Sequence, residues 1–411
     1  WYADPNNTVE FGASTIYYNF KPGEITTPET SSFIDQKLDD QYALEPAVYL
    51  SNEQKLGALT LQYGLRASAF YRFGAGTEYL YDENRPQSEE TIVDSIVHGR
   101  GDVMASFGGL EPRFAANYRL GERSSVKASY QRTRQYIHLI SNTTAATPLD
   151  VWAPSGPAVN PALADQVAVG YFRNFRDNTY EFSAETYYKH FQDVVDYKDG
   201  ANLLLNEYLT ADLLRGDGRA YGLELMMRRQ IGRLTGWVGY TLARTERQVL
   251  AEDNGLRPEF TRAQRQEIEI NNGEYYAANW DKTHDLTVVA AYELNDRWTV
   301  STNFSYMTGR PITYPNARYE WNGIQVPNYD NRNGARTPDY HRLDFSATWE
   351  RPRPDRRWQG SWTFSVYNAY NRRNPYSIYF RQNADDATLT EAVQFSVFGS
   401  VIPAVTYNFT F

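Results

Sequence analysis

The sequence predicts an all-β chain, a transmembrane antiparallel up-and-down β-barrel with about fourteen strands of the roughly 9–11 residues that cross a bilayer. Three observations carry this. First, in the final stretch Val405, Tyr407, Phe409 and Phe411 share one parity while Ala404, Thr406, Asn408 and Thr410 share the other. A period of two is a strand with one apolar and one polar face. Second, the chain holds 33 Tyr, 9 Trp and 20 Phe, enough for the aromatic girdles that membrane barrels place at both lipid–water boundaries. Third, short and long connectors alternate along the whole chain, as in a barrel with tight turns on one side and large loops on the other.

The alternating segments fall near 8–20, 41–51, 58–73, 102–119, 124–140, 164–174, 179–196, 218–230, 233–247, 281–293, 297–308, 340–350, 360–371 and 392–411. Several separate their faces cleanly. Leu59, Leu61, Tyr63 and Leu65 oppose Thr60, Gln62, Gly64 and Arg66; Leu343, Phe345, Ala347 and Trp349 oppose Arg342, Asp344, Ser346 and Thr348. Short turns are expected at 52–54, 121–123, 175–178, 231–232, 295–296 and 351–357, and long loops at 21–40, 74–101, 141–163, 197–217, 248–280, 309–339 and 372–391. This order puts both chain ends on the short-turn, periplasmic side of an outer membrane. Within the loop 248–270, rich in Glu, Arg and Gln, a short helix is expected, limited by Pro258.

Composition narrows the function. No run of eighteen apolar residues exists, so no transmembrane helix is expected. The formal net charge is −9, which argues against nucleic acid as a partner. Cysteine is absent, consistent with a chain that needs no disulfide in an oxidising compartment. One domain, 1–411, is expected, with no internal boundary. The opening Trp1-Tyr2-Ala3-Asp4 carries no signal segment, so the chain reads as a mature product or part of one.

No catalytic residue, metal site or cofactor is expected. The five histidines are scattered, and His138 and Ser141, three apart, lie on opposite strand faces. Asp281 and His284 have the wrong spacing for a metal and read as a structural hydrogen-bonding pair. Asp330-Asn331-Arg332-Asn333-Gly334 imitates a calcium loop, but Arg332 and Gly334 stand at ligand positions, so it reads as a turn. Arg215-Gly216-Asp217 spells an adhesion tripeptide and reads as a Gly/Asp turn. Gly309-Arg310-Pro311 reads first as a strand terminator, with Arg310 a secondary ligand contact. The stronger ligand-binding candidates are aromatic anchors in Pro-containing loops, namely Trp152, Tyr314, Tyr319, Trp321 and Tyr329. Packing of the loops on one another is the competing role. Arg132, Arg134 and Tyr136 share one parity and are expected in the upper lumen, since charge on the lipid face costs about 2–4 kcal/mol at mid-bilayer.

Four stretches resemble the barrel of TonB-dependent receptors. Tyr221-Gly222-Leu223-Glu224-Leu225 with Leu234-Thr235-Gly236-Trp237-Val238-Gly239-Tyr240-Thr241 resembles one hairpin of that family. Asp281, His284, Leu286, Tyr292, Trp298 and Thr308-Gly309-Arg310-Pro311 resemble a second run, and Tyr340-His341-Arg342-Leu343-Asp344 with Tyr367-Asn368-Ala369-Tyr370-Asn371-Arg372-Arg373-Asn374-Pro375 a third. The terminal strand is the fourth. The overall character is similar to receptors of the Bacteroidota, although 368–375 does not match the motif of the glycan receptors. The resemblance implies a Gram-negative outer-membrane transporter whose barrel has 22 strands. This chain would then be its C-terminal part, without about eight strands and without the plug that carries the TonB box. It implies as partners the TonB–ExbB–ExbD energy-coupling complex acting through that plug, the lipid bilayer and the barrel-assembly machinery, for which Val405, Tyr407, Phe409 and Phe411 would be the signal. A surface lipoprotein over the loops would be a further partner, whose presence the sequence leaves open. A complete fourteen-stranded passive channel, or a surface scaffold for adhesion, is the alternative.

Overall fold

The computed structural model describes residues 1–25, 36–140, 151–203, 205–322, 324–329, 331–350, 359–386 and 389–410. Fourteen long strands run antiparallel, each beside its chain neighbour: β1 Asn7–Phe20, β2 Gln41–Leu56, β3 Leu59–Phe73, β4 Val103–Arg119, β5 Ser124–Gln135, β6 Ala162–Phe175, β7 Tyr180–Tyr197, β8 Leu213–Arg229, β9 Leu234–Gln248, β10 His284–Asn295, β11 Trp298–Met307, β12 Tyr340–Glu350, β13 Gln359–Tyr367 and β14 Ile402–Thr410. A short strand, Tyr2–Asp4, continues the sheet beyond β1. Among the described residues no ladder joins β1 to β14.

The connectors alternate as expected. At one end the strands are joined by tight turns. Gly57, with φ 62, closes the β2–β3 turn in the left-handed region that glycine enters without strain. Arg176, Asp177 and Asn178 form a left-handed run between β6 and β7, with Asp and Asn supplying the residues that tolerate it best. At the other end the long loops are themselves folded. Hairpins form at Gly76–Tyr81 with Ile92–His98, Ile137–Ile140 with Val151–Pro154, Pro315–Trp321 with Ile324–Tyr329, and Ser377–Gln382 with Thr390–Phe395. The helix α1, Arg262–Glu267, starts where the Thr261 hydroxyl accepts from the Gln264 backbone N–H, a side-chain cap for an otherwise orphaned donor.

Several boundaries differ from expectation: β8 starts at Leu213, inside the expected loop 197–217, and β13 ends at Tyr367, short of 371. The 52–54 turn is strand, because β2 runs on to Leu56. The fifth segment breaks at Tyr136, where the chain leaves β5 for a loop hairpin. The last segment divides into a loop hairpin arm, Thr390–Phe395, and β14. The turn at 351–357 and Phe411 lie outside the described residues.

The two faces of the sheet differ in chemistry. One carries Phe11, Val48, Leu50, Leu65, Leu110, Phe114, Val167, Val169, Val238, Phe364 and Val405, all exposed. A wall of that extent has no aqueous solution, since monomeric soluble proteins expose apolar patches of only a few hundred Å²; lipid is its solvent. The opposite face carries Glu45, Arg66, Ser68, Glu111 and Gln131, and on it lies an open groove of about 910 Å3 that Gln62, Arg66 and Arg113 help to line. Buried side chains collect at the loop end instead of inside the wall. One cluster is Ala43, Phe70 and Tyr136; the other is Leu214, Val249, Ala251, Ile268, Ile270 and Tyr276.

Residues opposite one another form rows across the wall. One runs Val9, Asn52, Tyr63, Phe114, Tyr130, Val167, Tyr188, Tyr221, Arg244. On β1–β3 the apolar band lies on the loop side of this row (Phe11, Leu50, Leu65), whereas on β8 and β9 it lies on the turn side (Leu223, Leu225, Leu242). The band therefore drifts along successive strands, as it must when strands tilt about 35–45° to the membrane normal.

Candidate ligand-binding surface at the loop end

The loop end of the polar face is organised around Asp196. A bulge in β7, where Asp193 takes φ 54, reverses parity and turns Asp196 onto the polar face opposite Leu214. There the carboxylate is buried and receives Arg247 Nη1 at 3.0 Å, Arg332 Nη1 at 2.6 Å and the Tyr276 hydroxyl at 2.6 Å. Arg332 lies over the Tyr197 ring and also binds Asp199; Arg247 lies over Trp280. Burial, then the Asp196 charge, hold the Tyr276 hydroxyl well above its ordinary pKa, so it stays a proton donor. A buried charge needs this kind of complete partnering, because an uncompensated one costs several kcal/mol.

Two loops meet on this carboxylate. Asn271 exchanges two hydrogen bonds with the Arg332 backbone, at 2.8 and 3.1 Å. The Asn333 amide donates to Asn279 Oδ1 and the Ala277 carbonyl, at 2.6 and 2.8 Å. Buried Asp281 accepts the Thr245 backbone N–H at 2.6 Å and pairs with Arg336. The loops 248–283 and 309–339 are thus tied to β7 and β9 as one block. A cavity of about 350 Å3, lined by His138, Phe191, Asp196, Arg247, Trp280 and Arg332 among others, opens beside it. His138 is buried with Nε2 3.1 Å from the Ser155 hydroxyl. Burial, with the Arg247 charge nearby, pushes its pKa down to about 4, so it is neutral at pH 7.

Residues 1–371 match the family described as TonB dependent receptor-like, beta-barrel. The chain belongs to that family. TonB-dependent receptors are multi-pass barrels of the outer membrane that act in transport and are not enzymes. No curated protein matches the chain in sequence. In fold it is similar to the FrpB iron transporter from Neisseria meningitidis (TM-score 0.56, 14% identity, 99% of this chain and 53% of that one). It is likewise similar to the ferripyoverdine receptor of Pseudomonas aeruginosa (0.55, 13%, 98% and 45%) and to the ferric-catecholate import receptor Fiu from K12 E. coli (0.53, 13%, 98% and 51%). The chain spans about half the length of these structures.

Within this receptor barrel the sequence candidates are spread over three places. Tyr319, Trp321 and Tyr329 are exposed on the hairpin Pro315–Trp321 with Ile324–Tyr329. Tyr314, at its base, meets Phe380 of the neighbouring hairpin edge-on at 5.0 Å. Trp152 is exposed opposite Leu139 in the hairpin after β5. Arg132, Arg134 and Tyr136 do not share a lumen site. Arg132 sits opposite Asp165, on the parity of exposed Val167, and binds that carboxylate through Nε and Nη2 at 2.8 Å each. It belongs to a row of Arg132, Asp165, His190, Arg219 and Glu246 on the apolar parity, one step loopward of Tyr130, Tyr188 and Tyr221. The charges stand beyond the aromatic edge of the band, which is why lipid does not exclude them. Tyr136, past the end of β5, instead stacks on Phe70 of the polar face at 5.0 Å, and its hydroxyl meets Ser68 at 2.9 Å. Arg134 fills the space above Gly109 that a Cβ would need.

The remaining motifs take structural places. Gly309 packs on the Thr337 carbonyl, where any Cβ would collide, and the Arg310 N–H donates to the Thr337 hydroxyl. Asp281 and His284 do not face one another: His284 Nδ1 meets the Tyr240 hydroxyl at 2.9 Å, and no metal-ligand group is found among the described residues. Arg215-Gly216-Asp217 is not a turn; it lies in β8, with Arg215 held by Asn254 and Asp253. Ser141 and Asp330 lie outside the described residues, and His138 pairs with Ser155 instead. Sequence reasoning missed Asp196, Arg247, Asn271 and Arg332. The signal available was Arg332 itself, a cation inside a turn-forming Asn/Gly run.

Proposed function

We propose that this chain forms wall and receptor loops of a TonB-dependent outer-membrane transporter that takes up a ligand bound at its loop end. The observation that carries this reading is the Asp196 block, which holds two long loops fixed above the polar face. Pre-ordered loops lower the entropy cost of capture. The open groove on the polar face of β1–β5 gives the ligand a polar path along the wall. Uptake would be driven by the TonB–ExbB–ExbD complex through a plug and its TonB box in another part of the protein. Trp152, Arg132, Arg134, Tyr136, Arg310, Tyr314, Tyr319, Trp321 and Tyr329 remain the candidates for ligand contact. The aromatics on the Pro315–Tyr329 hairpin, exposed and fixed by strand pairing, suit it best, while the Asp165 pairing leaves Arg132 the weakest.

The fourteen strands would be part of a larger closed wall, because unpaired strand edges cannot face hydrocarbon. The chain terminus would lie in the periplasm, with Val405, Tyr407 and Phe409, and Phe411 beyond them, read by the barrel-assembly machinery. The exposed hairpins leave room for a surface lipoprotein above them. Deleting the TonB gene in cells carrying the complete receptor should lower accumulation of its ligand at least tenfold. Undiminished accumulation would replace this reading with a passive channel, and a constitutive loop-bound partner without any uptake would replace it with a surface scaffold.

A further inference from the structure

Arg72 stands apart from Arg66, Arg247 and Arg332 on the polar face. It is the penultimate residue of β3, with the polar parity of Arg66 and Ser68. Arg66 has Glu45, and Arg247 and Arg332 have Asp196. Arg72 has no carboxylate within ion-pair distance among the described residues. Its Nε is buried with no hydrogen-bond acceptor, and its one hydrogen bond, from Nη1 to the Pro154 carbonyl, is stretched to 3.5 Å. Arg134 and Arg372 also bury an Nε without an acceptor, but neither lines the cavity that Arg72 does.

That cavity, of about 410 Å3, lies between the hairpin 76–98, the segment 154–159 and the loop 254–260. The loops around it are cross-tied: the Tyr79 hydroxyl donates to Glu207 at 2.8 Å, Arg257 pairs with Glu83 at 2.9 Å, and Lys198 donates to the Gln87 carbonyl. The carboxylates that line it are engaged. Glu78 faces His98 at 3.2 Å, Glu83 is held by Arg257, and Asp82 accepts the Asn84 N–H at 2.9 Å. Of the cations that line it, Arg257 is paired with Glu83, but Arg72 and Arg85, the latter exposed at the same cavity, have no ion-pair partner among the described residues. Tyr81, Met104, Val159 and Phe260 give the walls an apolar component.

A half-buried guanidinium with a buried, unsatisfied Nε and no counter-charge is destabilising, and its planar fork fits a carboxylate or phosphate through two parallel hydrogen bonds. We infer that this cavity is a subsite for an organic anion bearing a carboxylate or phosphate group, with half-buried Arg72 as its inner contact and Arg85 as a second cation at the surface. The inference rests on the transporter reading for its purpose. The binding itself is measured on the purified complete protein without TonB, so loss of uptake and loss of binding are separate results.

The experiment titrates the complete protein in detergent with tricarballylate and with inorganic phosphate, before and after R72Q. Saturable binding that weakens at least tenfold in R72Q and partly recovers in R72K supports the subsite. The anion that binds tighter identifies the group as carboxylate or phosphate. Without anion R72Q should melt no lower than the parent, since it removes an uncompensated charge. A lower melting temperature would make Arg72 a structural tie to Pro154 and overturn the inference, as would unchanged binding in R72Q or no binding to the parent. If R72Q does not fold, protection of Arg72 from phenylglyoxal by tricarballylate or phosphate in the parent decides: protection supports the subsite and its absence overturns it.

Discussion

Asp196 shows what one residue can organise. Three donors from two loops and one strand converge on its carboxylate, so D196N should leave Arg247 and Arg332 short of a counter-charge. Removing one partner of a buried pair costs about 3–5 kcal/mol. The expected outcome is local: amide exchange at 271–279 and 331–336 should accelerate by two or more orders of magnitude while β1–β4 are unaffected. His138 makes the second residue-scale prediction. Its pKa in the folded chain is about 4, against an ordinary value near 6.5. The unfolded chain therefore takes up a proton that the folded chain refuses, and stability is lost as pH falls from about 6.5 to 4. The hairpin 137–154 should become protease-sensitive near pH 4.5 and remain resistant at pH 7.5; in H138Q that difference should vanish. Neither role could be read from the sequence, in which the only partner suggested for His138 is Ser141. Asp196 reaches its partners only because a bulge shifts its parity, and His138 meets Ser155 through a hairpin that folds back. Both depend on contacts distant along the chain.

Strands were the legible elements. Period-two alternation fixes a strand and its facing together, so Leu59 to Leu65 and Leu343 to Trp349 could be assigned from residue type alone. Boundaries were less legible where alternation runs through a turn or a break, as at 52–54 and at Tyr136. The loop hairpins were missed because short polar strands with proline, such as Pro315–Trp321, leave no alternation distinct from a loop. The third prediction belongs to β14, where Val405 faces the same surroundings as Phe364 on β13. V405D places a carboxylate in the apolar band and should reduce the heat-modifiable, outer-membrane form of the complete protein at least severalfold, while T406D on the polar parity should not. Gly309 supports a fourth. G309V would force its side chain into the Thr337 carbonyl, and the base of the loop 309–339 should open, detected as proteolysis near 310–337 with the strands intact.

For the whole molecule, the two sheet edges are decisive. In the larger wall proposed above each edge would carry a ladder of N–H and C=O groups that needs a partner strand, since every such group left unsatisfied in hydrocarbon costs several kcal/mol. Residues 1–411 produced alone should therefore aggregate or pair edge to edge with a second copy. A monomeric barrel of residues 1–411, heat-modifiable on gels, would establish closure of β1 on β14 and overturn the larger wall. The drift of the apolar band across the rows bears on how such a wall can change over evolutionary time. Deleting two residues from any strand preserves facing, yet it displaces all the strands on one side of the lesion by about 7 Å against an apolar band only about 25 Å tall. Length changes should therefore be tolerated in the loops and not in the strands, so that what such a receptor captures can vary while its strand lengths stay locked in register with one another.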